Sequence, residues 1–168
     1  AQDRGLKVYG ETCPPYMQFT DSKYGDEDGY LYIVNPPLRK QADQNRLWRG
    51  LLEGGLDVIG TDHCSYRLSN KEENRDNFDA IPAGFPGIET LLTTVYTLGV
   101  KQRNMTLPRM VQLLSTNPSR IFGLYPQKGS LTIGSDADLV VFDPRAQWTM
   151  DPSELHMNVD FHPFSGMN

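Results

Sequence analysis

The residues most able to do chemistry in this sequence follow a single apolar run, in LDVIGTDHCSY at residues 56–66. Asp62, His63 and Cys64 carry carboxylate, imidazole and thiol groups, which bind divalent metals and move protons. The run itself is typical of a parallel strand covered on both faces. Residues just past such a strand line the active-site face of parallel α/β folds. A plainer interpretation stays open, in which Asp62 caps a turn and His63 packs beneath it.

A complete metal site is not evident in the sequence. The chain has three histidines, His63, His156 and His162, and they form neither an HxH nor an HExxH pattern. If Asp62 binds a metal, most of the other ligands must therefore lie outside this chain. We expect His156 to face solvent and His162 to pack within an extended segment.

Composition excludes several classes of protein. The 168 residues, 38% hydrophobic and 22% charged with a net charge of -5, indicate one soluble domain or a piece of a larger one. There is no basic stripe for nucleic acid, and no apolar stretch approaches the roughly 18 residues that span a membrane. Cys13 and Cys64 are expected to be small buried hydrophobic residues, which fits a reducing cytoplasm. We expect both ends of the chain to be cuts within a longer protein.

Hydrophobic periodicity predicts strands that alternate with helices in the first part of the chain. Strands are predicted at residues 7–12, 30–34 and 56–62, and a charged loop at residues 65–80. One helix is predicted to run from Asp43 to a Gly54-Gly55 stop, and another over residues 87–98. Their expected buried residues are Leu47, Trp48, Leu51 and Leu52, then Ile88, Leu91, Leu92 and Val95. This alternation predicts an α/β fold with a parallel sheet.

The later part of the chain changes in character. Residues 105–116 predict a helix capped by Thr106, and residues 117–124 a short helix capped by Asn117. GSLTIGSDADLVVFD, at residues 129–143, predicts a hairpin of two short strands. Beyond it, only a weak helix is expected, at residues 152–155.

Six segments in order are VYGETCPPYM, NPPLR, GTDHCSY, IPAGFPGIET, STNPSRIFGLYPQKGSLTIGSDADLVVFDP and NVDFHPFSGM. Together they resemble the C-terminal part of the dihydropyrimidinases and hydantoinases, which are cyclic amidohydrolases, and the resemblance covers residues 5–167. GSDADLVVFDP alone indicates only the wider amidohydrolase group, whereas GETCP, PPLR and GTDHC narrow it to this family.

The resemblance implies a (β/α)8 TIM barrel with a small β-sandwich built from both ends of the parent chain. Residues 1–125 would be the C-terminal part of the barrel, including its last two strands. Residues 126–145 would contribute to the sandwich, and residues 146–168 would be a C-terminal extended segment. The chain would then be a fragment of its parent.

The resemblance also implies two divalent metal ions, usually zinc, bridged by a carboxylated lysine. The ligands of the family are an HxH pair, this lysine, two further histidines and an aspartate, and only the aspartate falls within this chain, at Asp62. Asp62 is implied to be both metal ligand and catalytic residue, taking a proton from the attacking water and passing it to the leaving nitrogen. His63 is implied to orient the site. The reaction would convert a cyclic amide to an N-carbamoyl amino acid.

Two implied substrate-binding positions depart from the family pattern. Asn35 stands where the family usually has serine before PPLR, and we expect its main chain to make the contact. Ala83 stands where the hydantoinase branch commonly has asparagine in IPNG. Because alanine has no polar side chain, a ring contact is lost or supplied by the backbone. Hydantoins, dihydropyrimidines and other cyclic imides therefore stay open as substrates.

Other functions stay open as well. The family includes non-catalytic oligomeric scaffold proteins that have lost metal ligands, but the presence of Asp62 favours an enzyme. An independent α/β binding module would need complete ends. For the enzyme we expect a small cyclic amide substrate, a cytoplasmic homotetramer, and neither nucleic-acid nor membrane partners. The 168-residue chain alone is expected to be inactive.

Overall fold

The computed structural model describes residues 1–168, apart from the side chain of Asp3. Among these residues the strands are β1, Glu11–Thr12, and β2, Val58–Ile59, and the α-helices are α1, Pro14–Gln18, α2, Gln41–Glu53, α3, Leu68–Glu72, α4, Leu91–Val95, α5, Leu107–Val111, and α6, Asn117–Ile121. Short 3-10 turns occupy Gln2–Arg4, Asp21–Gly25, Gly29–Tyr32, Phe78–Ala80 and Pro152–Glu154, and π-helical turns occupy Tyr96–Lys101 and Gln112–Thr116. No helix of this described part is both long and apolar enough to cross a membrane.

Strands β1 and β2 lie side by side and run parallel, with α2 in the crossover between them. Glu11 pairs with Val58 and Thr12 pairs with Ile59. The Gly60 N–H extends the ladder by donating to the Thr12 carbonyl oxygen at 2.9 Å. The predicted parallel α/β arrangement is confirmed. Each strand is shorter than predicted, and among the described residues no third strand lies beside the pair.

Helix α2 carries the main apolar core. Trp48 and Leu51 are buried, and the Trp48 Nε1–H donates to the Met17 carbonyl oxygen at 2.9 Å. Gly54 ends the helix as predicted, with a left-handed φ of 94°. Leu52, predicted to be buried, is exposed. The core around this helix comprises Met17, Trp48, Leu51, Ile59, Val95, Leu98, Met105, Met110, Leu113, Met150 and Phe164.

A smaller apolar cluster lies beneath two loops, the 30s loop (residues 30–39) and the 80s loop (residues 81–88). Its buried residues are Tyr32, Val34, Leu38 and Phe85. The strand predicted at residues 30–34 is wrong, because Gly29–Tyr32 forms a 3-10 turn. The Leu31 N–H donates back to the Asp28 carbonyl oxygen at 2.9 Å instead of reaching a neighbouring strand. Packing of the aromatic residues in the cluster overrides their preference for strands.

Contacts between distant residues explain where two helices differ from prediction. Helix α3 lies in the region predicted to be a loop, and Asp160 Oδ1 caps it by accepting the Leu68 N–H at 2.7 Å. The helix predicted at residues 87–98 begins only at Leu91. The preceding N–H groups of Gly87 and Ile88 donate to His63 Nδ1 at 3.1 and 3.4 Å, so these residues form a turn and Ile88 is exposed.

Helices α5 and α6 are continuous through the π-helical turn Gln112–Thr116. Thr106 caps α5 as predicted, because its Oγ1 accepts the Arg109 N–H at 3.2 Å. The second cap predicted at Asn117 is wrong. The Asn117 Nδ2–H donates to the Asp57 carbonyl oxygen at 2.8 Å, so this side chain anchors the helix to the start of β2.

The segment at residues 129–143 contains no strand, although the whole of it is described. The hairpin predicted there is therefore wrong for this chain. Exposed fractions run from 64% to 108% at Leu131, Ile133, Leu139, Val140 and Val141. Strands need neighbouring strands for their backbone groups, and no strand lies beside this segment among the described residues. Farther on, the weak helix predicted near residue 152 is present as the 3-10 turn Pro152–Glu154.

Candidate functional site

Asp62 lies just beyond β2 in an unusual backbone conformation. Its φ is 46°, in the left-handed region, which costs a residue other than glycine about 1–2 kcal/mol. Strain of this kind persists where the surrounding structure enforces it, and it clusters at functional sites. The side chain is exposed, and it joins no ion pair with another described residue. Its carboxylate is therefore available to a ligand.

His63 joins the turn after β2 to the 80s loop. Its Nδ1 accepts the backbone N–H of Gly87 at 3.1 Å. Because Nδ1 is an acceptor, the neutral ring carries its proton on Nε2. The next residue, Cys64, donates its N–H to the Phe85 carbonyl oxygen at 2.8 Å. These hydrogen bonds hold the 80s loop beside Asp62.

The 30s loop lies against the 80s loop. The Gly84 N–H donates to the Ile33 carbonyl oxygen at 3.0 Å. Ala83, half-buried, immediately precedes Gly84, and Asn35, exposed, lies two residues after Ile33. The structure therefore brings both predicted substrate-binding loops to the end of the sheet that carries Asp62.

Two carboxylates give the ends of the strands a negative electrostatic field. Burial, and then the charges of Asp62 and Glu11, raise the pKa of the Cys13 thiol to about 12. Burial also raises the pKa of Tyr16, with further contributions from Cys13 and Asp62. Cys13 is a buried, protonated thiol, as predicted, and not an activated nucleophile. A field of this sign favours a bound cation.

Comparison with known proteins identifies the family. Residues 6–165 match the Amidohydrolase family. The chain belongs to this family. It is 39% identical over 160 residues to D-phenylhydantoinase of Escherichia coli, a match that covers 95% of this chain and 35% of that protein. The resemblance inferred from the sequence motifs is confirmed.

Solved structures of relatives show the same fold. The chain is similar to the dihydropyrimidinase from Brevibacillus agri, with 41% identity and a TM-score of 0.93. It is also similar to the L-hydantoinase (dihydropyrimidinase) from Arthrobacter aurescens, with 34% identity and a TM-score of 0.92. Each match covers 99% of this chain and 37% of the other. The chain thus spans about a third of the length of the relatives it matches and has the fold of the corresponding part.

Asp62, the candidate metal ligand from the sequence, has a side chain that could contact a cation. A carboxylate oxygen is a suitable ligand for a divalent cation, and the Asp62 side chain is exposed. No group of three or more His, Cys, Asp or Glu side chains converges anywhere in the described part. Asp62 therefore fits as one ligand of a larger set.

The other two histidines are engaged by other side chains. His156 faces solvent, as predicted, and its Nδ1 lies 2.7 Å from Glu89 Oε1. His162 is buried, as predicted, and its Nε2 lies 3.0 Å from Thr90 Oγ1. Burial, with a smaller effect of His63, lowers the pKa of His162 to about 4. His162 is therefore neutral at physiological pH and serves as a packing residue.

Lys71, on α3, is a residue beside the site that the sequence did not indicate. It is fully buried, and its Nζ donates to the carbonyl oxygens of Pro82 at 2.9 Å and Ile33 at 3.3 Å. A carboxylated lysine at this position would direct an anion at two carbonyl oxygens, so Lys71 is not the bridging lysine of the family pattern. In the sequence, Lys71 lies among the other charged residues of the predicted loop at residues 65–80, and no local pattern indicates its burial.

Proposed function

We propose that the chain is the C-terminal part of a longer metal-dependent hydrolase that opens a cyclic amide. The substrate class is a hydantoin, a dihydropyrimidine or a related cyclic imide, and the product is an N-carbamoyl amino acid or a close relative. One observation carries the proposal: Asp62 lies at the end of β2 beside the 30s and 80s loops. Similarity to D-phenylhydantoinase along 95% of the chain supports the same reaction class.

Asp62 would bind metal and transfer a proton. The resemblance indicates two divalent ions, usually zinc, which when bound lower the pKa of the attacking water and polarise the amide carbonyl. A carboxylate within hydrogen-bond reach can act first as a base and then as an acid. Asp62 would take the proton from the water and deliver it to the departing ring nitrogen, which would otherwise leave as an unstable anion.

The 30s and 80s loops would bind the substrate ring through their main chain. Ala83 offers no polar side chain, and its N–H has no acceptor among the described residues. That N–H is therefore available to a ring carbonyl, and the main chain of Asn35 would contact the ring from the other loop. His63 would orient the site, because its bond to Gly87 fixes the 80s loop beside Asp62.

The rest of the parent protein would complete both domains. Residues 1–125 would close a TIM barrel with upstream strands that carry the HxH pair, the carboxylated lysine and two further histidines. Residues 126–145 would join a β-sandwich whose partner strands cover exposed side chains such as Val141, and residues 146–168 would form a C-terminal extended segment that packs on the barrel part through Met150 and Phe164. We further propose a homotetramer in the cytoplasm, where the free thiols of Cys13 and Cys64 remain reduced.

The full-length protein that carries this chain provides the test. Asp62→Asn keeps the side-chain shape but removes the charge, and exposed Asp76→Asn is the matched control. We expect Asp62→Asn to lower kcat/KM for hydantoin or dihydrouracil by about a thousandfold and to reduce bound metal, measured by mass spectrometry. Unchanged turnover and metal content would remove the assignment of Asp62. A wild-type protein that is oligomeric, metal-free and inactive would favour the scaffold function.

A further inference from the structure

Lys71 is completely buried without a carboxylate to neutralise it. Its exposed fraction is 0%, and no ion pair to it is present among the described residues. Lysine is almost never fully buried unless it is paired. Burial lowers the pKa of Lys71 to about 8, with a smaller opposing effect of Cys64. An apolar side chain of similar size would fill the same space without this desolvation, so packing alone does not explain the lysine.

The Lys71 ammonium bridges two loops that are far apart in the sequence. It donates to Pro82 O in the 80s loop at 2.9 Å and to Ile33 O in the 30s loop at 3.3 Å. The Phe85 and Phe161 rings lie 5.5 and 5.9 Å from Nζ, close enough for favourable cation–π contact. The charge is thus stabilised by two carbonyl dipoles and two ring faces.

The helix that carries Lys71 is itself anchored at its start. The Leu68 N–H donates to Asp160 Oδ1 at 2.7 Å, and Arg67 Nη2 donates to Asn158 Oδ1 at 3.0 Å. The C-terminal segment thus holds α3 by its first turn and also supplies the Phe161 ring near Nζ. Lys71 therefore extends from a fixed base toward the two loops.

The hydrogen bond from Lys71 to the Pro82 carbonyl oxygen sets the direction of the Ala83 N–H. The Pro82 carbonyl and the Ala83 N–H belong to one planar peptide unit and point in opposite directions. When Lys71 holds that carbonyl, the Ala83 N–H is directed away from Lys71. On the other loop, the bonded Ile33 carbonyl lies two residues before Asn35.

We propose that Lys71 is a positioning residue that sets the spacing and orientation of the 30s and 80s loops, so that backbone groups at Asn35 and Ala83 meet the substrate ring. This role rests on the proposed function, because those groups matter only if a ring binds between the loops. Lys71 acts through the two carbonyl groups and does not touch the substrate.

The test compares Lys71→Met with Lys71→Gln and with a control, Lys101→Met, at an exposed lysine, all in the full-length protein. Hydrogen–deuterium exchange reads the loops without requiring activity. We expect Lys71→Met to speed exchange of the Gly84 N–H about tenfold, while exchange in α2 stays within about twofold of wild type. Lys71→Gln keeps one neutral donor group, so its Gly84 N–H should exchange at a rate between those of wild type and Lys71→Met. The exchange rates of Lys101→Met should match those of wild type.

Steady-state kinetics provide the second readout. We expect Lys71→Met to raise KM for the cyclic amide about tenfold with kcat changed less than about threefold, because loop contacts bind the ring in both ground and transition states. Wild-type exchange in the 30s and 80s loops together with wild-type KM would overturn the role. Faster exchange in α2 as well, or failure of both variants to fold, would make Lys71 a general stability residue and would also overturn it. A wild-type protein that opens no cyclic amide would instead refute the proposed function, and the exchange result would still show whether Lys71 couples the loops.

Discussion

The Gly87 N–H lies 3.1 Å from Nδ1 of His63, and this bond connects the turn that carries Asp62 to the 80s loop. The Ile88 N–H shares the same acceptor at 3.4 Å. A proton on Nδ1 would place a donor against two N–H groups, so Nδ1 is the acceptor nitrogen of the ring. His63 therefore positions a loop by accepting hydrogen bonds from its backbone.

Replacing His63 with alanine is expected to lower the free energy of unfolding by about 1 kcal/mol, because two backbone donors lose their acceptor. His63→Asn should retain most of the stability, since its Oδ1 can accept where Nδ1 did. Urea denaturation of the two variants and wild type measures the difference. Equal losses in the alanine and asparagine variants would show that the acceptor is unimportant.

The buried Lys71 predicts a dependence of stability on alkaline pH. Its pKa is about 8 in the folded protein and 10.5 ordinarily, so between these values the unfolded chain binds more protons. Stability contributed by this group is therefore lowest below pH 8 and rises with pH through the window, by up to about 3 kcal/mol.

Lys71→Met removes this dependence and serves as the reference. Burial raises the pKa of Cys13 and Tyr16, which lowers their contribution to stability at alkaline pH. Wild type and Lys71→Met share that effect. Subtracting the stability of Lys71→Met from that of wild type at each pH, in urea denaturation, isolates the lysine. A difference that is flat or falls across the window would contradict the buried position of the amine.

His162 predicts a loss of stability in acid. Burial holds its pKa at about 4, below the ordinary 6.5, so the unfolded chain binds more protons between those values. The contribution of this group is complete above pH 6.5 and is lost as the pH falls toward 4, by about 3 kcal/mol at most. His162→Gln, which does not titrate there, should show a shallower acid slope in urea denaturation. An identical slope in both proteins would refute this prediction.

If Ala83 contacts the substrate ring, substituting it should change which ring substrates the enzyme prefers. Ala83→Asn introduces the amide side chain that the family resemblance places at this position in the hydantoinase branch. Under the proposed function it would give the ring a second polar partner beside the backbone N–H. We expect kcat/KM to change by about tenfold for some ring substrates and little for others, because a hydrogen bond discriminates between rings that can and cannot pair with it. The comparison uses hydantoin, dihydrouracil and both enantiomers of a substituted hydantoin. A uniform change across all of them would indicate a general disturbance of the loop.

Local sequence was sufficient to predict the structural features that depend on residues close by in the chain. The end of α2 at Gly54 and the Thr106 cap each depend on residues within one helical turn. The cap of α3 by Asp160 and the late start of α4 depend on distant contacts, so periodicity did not reveal them. At residues 129–143 the local pattern gave a wrong prediction. The pattern predicts strands, but no partner strand lies beside the segment among the described residues.

The candidate site divides in the same way. The position of Asp62 just past β2 could be predicted because an acidic residue follows an apolar run, and that signal is local. Its role as a metal ligand stays a prediction that rests on the family resemblance. Lys71 could not, because its importance comes from burial against Phe85 and Phe161 rather than from its immediate neighbours. Many charged residues surround Lys71 in the sequence, and no local pattern indicates that this lysine is the buried one.

The crystal structure of the metal-loaded full-length protein, with anomalous scattering recorded at the metal absorption edge, tests the central claim most directly. If Asp62 binds the metal, an anomalous peak is expected about 2.0–2.6 Å from an Asp62 carboxylate oxygen, with the 30s and 80s loops on the same face. The plainer interpretation of Asp62 predicts a carboxylate bonded to backbone N–H groups of its own turn. That arrangement, with any metal bound elsewhere, would show that Asp62 is not a metal ligand.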